Sequence, residues 1–184
     1  MNSNNNNVTN TTNNNQFNLQ MYLKVECKDA LNISEFIDML QPKFEDLEAT
    51  GRLGYVEGVS RIMINGLQSM YVNKRPIHCS DQKRETIYIK DNGVWEKDVG
   101  NKKLTNAIKQ VALKNIQQII PWQQANPGCC KSSSKKNDQY LNIVSNSMNG
   151  LTEEEANRNY EKIVSKVAKE VVIDKRAMKQ GSIH

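Results

Sequence analysis

The sequence predicts a mostly α-helical α+β domain that carries one β-hairpin, at about residues 85–98, between helices. The first observation is that Ile87 and Ile89 alternate with polar positions and that residues 91–93 (DNG) follow, a combination that favours a tight turn between two strands. The second is that apolar residues recur at intervals of three and four on both sides of this segment, as in amphipathic helices. At 184 residues, the chain is long enough for one domain with a buried core.

Composition divides the chain into three parts. Residues 1–18 are mostly Asn, Thr and Ser, so burial of side chains cannot offset the entropy lost on ordering them. We therefore expect an Asn-rich disordered head at 1–18, a single α+β domain at 19–176 and a flexible tail at 177–184.

The first half of the domain is predicted to hold one strand and three helical segments. Leu19–Cys27 alternates in part, which indicates a short strand or an extended lead-in. A first helix follows, with Asn32 or Ser34 as its N-cap. Pro42 suits the first position of a second helix, and a break at residues 50–54 precedes a third, strongly amphipathic one.

The second half is predicted to be helical beyond the hairpin. Apolar spacing indicates a helix over about 102–120, ended by Pro121. Residues 125–137 have the Pro, Gly and Ser content of a surface loop, with Asp138 as the cap of the next helix, and residues 152–155 form a capping box for the last one. The core-facing residues expected on these two helices are Leu141, Val144, Met148, Tyr160, Ile163, Val164, Val167 and Val171.

Charge and cysteine content limit the class of protein. Lys and Arg number 25 against 20 Asp and Glu, which gives a formal charge of +5 and permits attraction to nucleic acid without requiring it. The four cysteines include no C-x-x-C pair, and no apolar segment resembles a signal peptide or a membrane span. We expect free thiols in an intracellular protein that is neither secreted nor bound to a membrane.

Three constellations could carry chemistry, and each is weak. His78 lies beside Cys79, but side chains of consecutive residues usually diverge and do not form a catalytic pair. His78, Cys79, Cys129 and Cys130 lack the spacing of common zinc sites. Asp81 and Lys83 supply only half of a magnesium-dependent nuclease site. We therefore expect no catalytic residue, no metal ligand and no cofactor.

The strongest functional feature is a group of cations around the hairpin. Cations neutralise phosphates, and Tyr88 and Trp95 on the same hairpin could stack on bases. Acidic residues are interspersed, so a solvated face with cross-strand ion pairs is the alternative. The candidate nucleic-acid-binding residues are Lys74, Arg75, Lys83, Arg84, Lys90 and Lys97 around the hairpin, with Lys102, Lys103 and Lys109 on the helix that follows.

Several phrases of the sequence point to a family. RPIHCSDQKRETIYIKDNGVWEKD, KKLTNAIKQVALKNIQQI and PWQQANP, within about residues 25–175, resemble the C-terminal domain of uncharacterised proteins of giant nucleocytoplasmic large DNA viruses. Some members of that family carry a zinc finger ahead of this domain, which implies association with nucleic acid. The resemblance further implies a location in the host cytoplasm or nucleus, at the viral factory, or in the virion, and it carries over no catalytic residue.

These observations lead to three hypotheses. The first is a non-enzymatic, nucleic-acid-associated accessory protein of a large DNA virus, with DNA preferred over RNA as the partner. The second is an interaction or oligomerisation module of viral assembly or host interaction, in which Tyr160, Ile163 and Val167 contact another copy or a viral protein. The third is a magnesium-dependent nuclease.

Overall fold

The computed structural model describes residues 17–175, which form a mostly helical α+β fold as predicted. The predicted head and tail lie outside this range, apart from Phe17 and Asn18. No helix in the described range is long and apolar enough to cross a membrane. The elements are α1 (Leu19–Met21), α2 (Ile33–Met39), α3 (Phe44–Leu53), α4 (Tyr55–Gln68), β1 (Ile77–Asp81), β2 (Thr86–Asp91), β3 (Val94–Lys97), α5 (Lys102–Ile116), α6 (Ile119–Ala125), α7 (Lys135–Asn146) and α8 (Glu153–Glu170).

The three strands form one antiparallel sheet in the order β1-β2-β3. The predicted hairpin is confirmed as β2 and β3, and its turn residues Asn92 and Gly93 have φ of 49° and 78°. Two consecutive positive φ values are typical of the turn that matches the twist of a hairpin. The sequence did not predict β1, which pairs with β2 so that Ile77 lies opposite Ile89 and His78 opposite Tyr88.

The two faces of the sheet pack against different parts of the chain. Residues Ile77, Cys79, Ile87 and Ile89 belong to the main core, which α2, α4, α5 and α8 complete. The other face carries His78, Tyr88, Lys90 and Trp95, because side chains alternate along a strand. A smaller apolar cluster covers that second face, and it includes Tyr22, Leu23, Cys27, Ala30 and Ile173.

The strand predicted for Leu19–Cys27 is wrong, because this segment is helical. Helix α1, capped by the side chain of Asn18, continues into a π-helical turn at Tyr22–Glu26. The turn brings Tyr22 and Leu23 into the cluster on the second face of the sheet. Tertiary burial therefore determines the conformation here, where the local pattern was only partly alternating.

The N-terminal helices follow the prediction with small shifts. Asn32 caps α2, where it forms a capping box with Glu35. Helix α3 begins after Lys43 rather than at Pro42. It continues through most of the break predicted at 50–54, and only Gly54, whose φ is 88°, separates it from α4. Helices α3 and α4 then approach so closely that a Cβ on Gly58 would lie 2.8 Å from the Cα of Thr50.

Pro121 does not end the predicted helix over 102–120. Helix α5 already ends at Ile116, and Pro121 is the third residue of α6. Proline is tolerated there because an N–H in the first turn has no partner within the helix. The loop predicted at 125–137 is confirmed for residues 126–134, and the hydroxyl of Ser134 caps α7 in place of Asp138.

The core face of α7 was predicted incorrectly. Ile143 is the buried residue, whereas Leu141 and Met148 are exposed. The capping box of α8 is confirmed, with the Thr152 hydroxyl accepting from the N–H of Glu155. The apolar face of α8 is also confirmed, and its residues Ile163, Val164, Val167 and Val171 lie in the main core.

Candidate nucleic-acid interface

The structure separates the nine predicted cations into those held inside the fold and those free at its surface. Lys90 is the clearest correction, since its side chain points into the second face of the sheet and only 8% of the residue is exposed. Its ammonium donates to the carbonyl oxygens of Lys28 at 2.6 Å and Ala30 at 2.8 Å. Lys90 is therefore a structural link between β2 and the N-terminal segment, and phosphate cannot reach it.

Arg75 and Lys103 are also engaged within the protein. The Arg75 side chain is 12% exposed and lies 3.9 Å from a Glu170 carboxylate oxygen. Lys103 bridges Asp91 and Glu96 on the two hairpin strands, and hydrogen bonds to these carboxylates raise the pKa of its ammonium. These two cations are already neutralised by carboxylates, so they add little to a phosphate-binding surface.

Two further cations make looser contacts. Lys74 lies 3.5 Å from a carboxylate oxygen of Asp29 in a largely exposed pair, which an incoming phosphate could displace. The ammonium of Lys109 lies 5.1 Å from the centre of the Tyr160 ring, where it joins α5 to α8. Lys109 is exposed to solvent and remains accessible.

Four of the predicted cations lie together at one end of the sheet. Strand β1 ends and β2 begins at this end, so the turn between them carries Lys83 and Arg84 there. Because β2 and β3 are antiparallel, β3 ends beside the same turn, with Lys97 opposite Tyr88. The chain then passes through a 3-10 helix at Val99–Asn101 and enters α5 at Lys102. All four cations are exposed. A sheet of three strands is only about 10 Å wide, so cations at the same end of the sheet are close to one another.

Helix α8 adds two cations that the sequence reading missed. Glu85 in the β1–β2 turn forms a hydrogen bond with Ser165, which fixes the turn against the outer side of α8. Lys162 and Lys169 are three and four residues from Ser165, so they share its face of the helix, and both are exposed. Their spacing was visible in the sequence, but only the contact between Glu85 and Ser165 brings this face of α8 to the β1–β2 turn. We call the six residues Lys83, Arg84, Lys97, Lys102, Lys162 and Lys169 the hairpin-end surface.

Three acidic residues near the hairpin-end surface, Asp81, Glu85 and Asp98, have partners in the fold. The Asp98 carboxylate accepts the N–H groups of Lys103 at 3.0 Å and Leu104 at 2.9 Å, so it satisfies two of the four N–H groups in the first turn of α5. Asp81 accepts the N–H of Arg84 at 3.2 Å and lies 3.9 Å from its guanidinium. The acids therefore support the local backbone, while the cations extend into solvent.

The buried histidine pairs with a cysteine other than its sequence neighbour. His78 and Cys79 point to opposite faces of the sheet, and His78 Nε2 lies 3.5 Å from Cys27 Sγ. His78 is 1% exposed, and burial together with the nearby charge of Arg75 lowers its pKa to about 4. Burial also raises the pKa of the Cys27 thiol. Both groups are thus held in their neutral forms and separated from solvent.

The other proposed constellations do not assemble. Cys129 lies after α6 in an apolar cluster with Trp122, and Cys130 beside it is exposed, whereas Cys79 belongs to the main core. Across residues 17–175, no group of three or more His, Cys, Asp or Glu side chains could hold a metal ion. The Asp81 carboxylate is bound within its own turn, and Lys83 extends into solvent.

An exposed apolar patch lies on another part of the molecule. Leu53, Met148 and Leu151 surround a cleft of about 450 Å³ between the α3–α4 junction and the α7–α8 linker. Leu151 is 93% exposed. In contrast, Ile163 and Val167, which were expected to contact a partner, are fully buried in the core. The apolar face of α8 is therefore closed to a protein contact, whereas the α7–α8 linker is open to one.

Comparison with known proteins adds no functional assignment to this geometry. No family model matches the chain, and neither a curated protein nor a solved structure matches it.

Proposed function

We propose that the protein is a non-enzymatic, nucleic-acid-associated accessory protein that contacts phosphates through the hairpin-end surface. Duplex DNA is the preferred partner. The resemblance of the sequence to a family of large DNA viruses supports a viral setting for this role. The observation that carries the proposal is the grouping of Lys83, Arg84, Lys97 and Lys102 at one sheet end, with Lys162 and Lys169 on the adjoining helix.

The electrostatics of this surface suit a backbone-directed contact. Its ammonium and guanidinium groups are exposed, and the carboxylates of Asp81, Glu85 and Asp98 are occupied by backbone or side-chain partners. Such a surface attracts the regularly spaced phosphates of a duplex without reading base sequence. Trp95 is not available for stacking, because its indole N–H donates to the carbonyl of Cys27 on the second sheet face. We therefore propose binding with little sequence preference.

Salt dependence measures the number of phosphate contacts. Each contact contributes about 0.9 to the slope of log affinity against log salt on duplex DNA. Four contacts would weaken binding about a hundredfold between 50 and 200 mM salt. Fluorescence anisotropy with short duplex DNA, single-stranded DNA and RNA at several salt concentrations would supply these slopes.

The test compares two double charge reversals. Lys83→Glu with Arg84→Glu alters the hairpin-end surface, and we expect the slope on duplex DNA to fall by about 2. Lys131→Glu with Lys135→Glu makes the same change of net charge near α7, on exposed residues outside the surface. Duplex binding should survive in the control. Equal losses in both variants would show that only net charge matters, and no binding by the wild type at 50 mM salt would refute the proposal.

The second candidate function is protein interaction through the exposed apolar patch. Leu53, Met148 and Leu151 leave apolar area in contact with water, which is a feature of interaction sites. Light scattering after size exclusion at micromolar concentration would detect self-association. Leu151→Asp should then return the protein to a monomer, whereas a wild-type monomer at these concentrations would exclude pairing of two copies through the patch.

A further inference from the structure

The loop between α6 and α7 contains two consecutive thiols in different environments. Cys129 Sγ and Cys130 Sγ are 3.8 Å apart. Cys130 is exposed, and its sulfur accepts a hydrogen bond from the Gln123 side chain at 3.1 Å. Cys129 is buried in a cluster with Leu47, Trp122 and Ile143. One sulfur is thus accessible to a reagent, and the other is held directly behind it.

We propose that Cys129 and Cys130 form a reversible dithiol switch that hydroperoxides oxidise to a disulfide between the two neighbours. The Cys130 thiolate attacks one peroxide oxygen, the O–O bond breaks, and the products are a sulfenic acid and hydroxide, which takes up the proton that Cys130 released. The Cys129 sulfur then attacks the Cys130 sulfur, and its proton leaves with the hydroxyl as water. Two thiols and one hydrogen peroxide give one disulfide and two waters.

The geometry of consecutive residues makes the oxidised form easy to reduce. Their Cα atoms are about 3.8 Å apart, whereas ordinary disulfides join Cα atoms about 4.4 to 6.8 Å apart. The closed ring is therefore strained, and strained, exposed disulfides have the more oxidising potentials of regulatory bonds. A reducing compartment would restore the thiols quickly, so the disulfide would accumulate only while peroxide is present.

The surrounding loop allows the sulfurs to approach each other. Residues 126–134 contain turns but no α-helix, and Gly128 has a φ of 113°, a conformation that glycine adopts without strain. In the proposed switch, Cys129 moves away from its cluster as the sulfurs close from 3.8 Å to about 2.05 Å. That shift alters the surroundings of Trp122 and weakens the packing of α6 and α7 against Leu47 of α3.

The other two cysteines serve as internal references. Cys27 and Cys79 are fully buried in clusters on the two faces of the sheet, so peroxide cannot reach them in the folded protein. The full-length protein is treated with a few equivalents of hydrogen peroxide and then unfolded in N-ethylmaleimide, which labels every remaining thiol. Untreated protein should carry four labels, one for each free cysteine. Treated protein should lose two of them, both from residues 115–131, the tryptic peptide that contains Cys129 and Cys130.

The mass of that peptide distinguishes the products. We expect an unlabelled peptide about 2 Da lighter than the dithiol form, fully recovered with dithiothreitol, because disulfide formation removes two hydrogens. In a Trp95→Phe background, Trp122 emission should change on oxidation and return on reduction. The Cys130→Ser variant should keep its Cys129 label. Retention of all four labels, a dimer linked through Cys130, or irreversible oxidation of Cys130 with Cys129 still labelled would each overturn the proposal.

Discussion

The structure predicts that Lys90 acts in folding and Lys97 in binding, although both are lysines of the hairpin. Lys90→Met keeps most of the side-chain length but removes the ammonium that donates to the carbonyls of Lys28 and Ala30. Hydrogen bonds to a charged group contribute about 1.5–3 kcal/mol each, and each carbonyl would lose its partner in a buried region. Relief from burying the ammonium offsets part of this loss. We expect a net destabilisation of about 2–3 kcal/mol, or roughly 5–10 °C in Tm for a domain of this size.

Urea denaturation and thermal melts followed by circular dichroism measure the stability, and anisotropy below the unfolding transition measures the binding. Lys97→Met is the matched control, because Lys97 is exposed on the neighbouring strand. It should change stability by less than about 0.5 kcal/mol and lower the salt slope on duplex DNA by about 1. Lys90→Met should leave that slope unchanged. An unaltered urea midpoint for Lys90→Met together with weaker DNA binding would refute the assignment of Lys90 to the interior.

Three further predictions concern stability. Gly58→Ala should lower the free energy of unfolding by more than about 2 kcal/mol in urea denaturation, because the added Cβ would meet the backbone of Thr50. Ala has the better helix propensity, so a gain in stability would contradict the close packing of α3 on α4. Burial holds the pKa of His78 near 4 in the folded protein, whereas the ordinary pKa of histidine is 6.5. Below pH 6.5 the unfolded chain therefore binds more protons than the folded one, and the free energy of unfolding should fall by about 2 kcal/mol between pH 7.5 and pH 5. His78→Gln should remove most of that slope, and the same slope in both proteins would assign it to other groups. Asp98→Ala should lower the free energy of unfolding by about 2–3 kcal/mol, because two N–H groups of α5, including that of Leu104, lose their acceptor. Native-state hydrogen exchange should show the lost protection in the first turn of α5 rather than across the whole domain.

The sequence predicted correctly those turns and helix caps that depend on neighbouring residues. The turn at Asn92 and Gly93 and the caps at Asn32 and Thr152 were correct because each depends on residues a few positions apart. The same reasoning failed at α7, where the spacing of Leu141, Val144 and Met148 marks a possible helix face but the fold buries Ile143. Two faces of a short helix can look equally apolar, and only the neighbouring helix α3 decides between them.

The candidate site depended on contacts that span long stretches of sequence. Lys90 alternates with apolar residues as a solvent-facing strand residue would, but the carbonyls that bind its ammonium are about 60 positions earlier in the chain. Strand β1 was missed because both of its faces are buried. Its residues Ile77, His78 and Cys79 therefore do not alternate between buried apolar and exposed polar positions. The turn residue Glu85 meets Ser165 of α8 across 80 positions, and no local pattern indicates that contact.

The most direct test of the hairpin-end surface is a nitrogen-15 NMR titration of the 21.0 kDa protein with a short DNA duplex at low salt. We predict that the amide signals that shift come from residues 82–85, 97–102 and 162–169, and that they return on addition of salt. Amides of the α6–α7 loop should not respond. Shifts concentrated in the α6–α7 loop or the α7–α8 linker, or no shifts at all at saturating duplex, would contradict the assignment of phosphate binding to the hairpin-end surface.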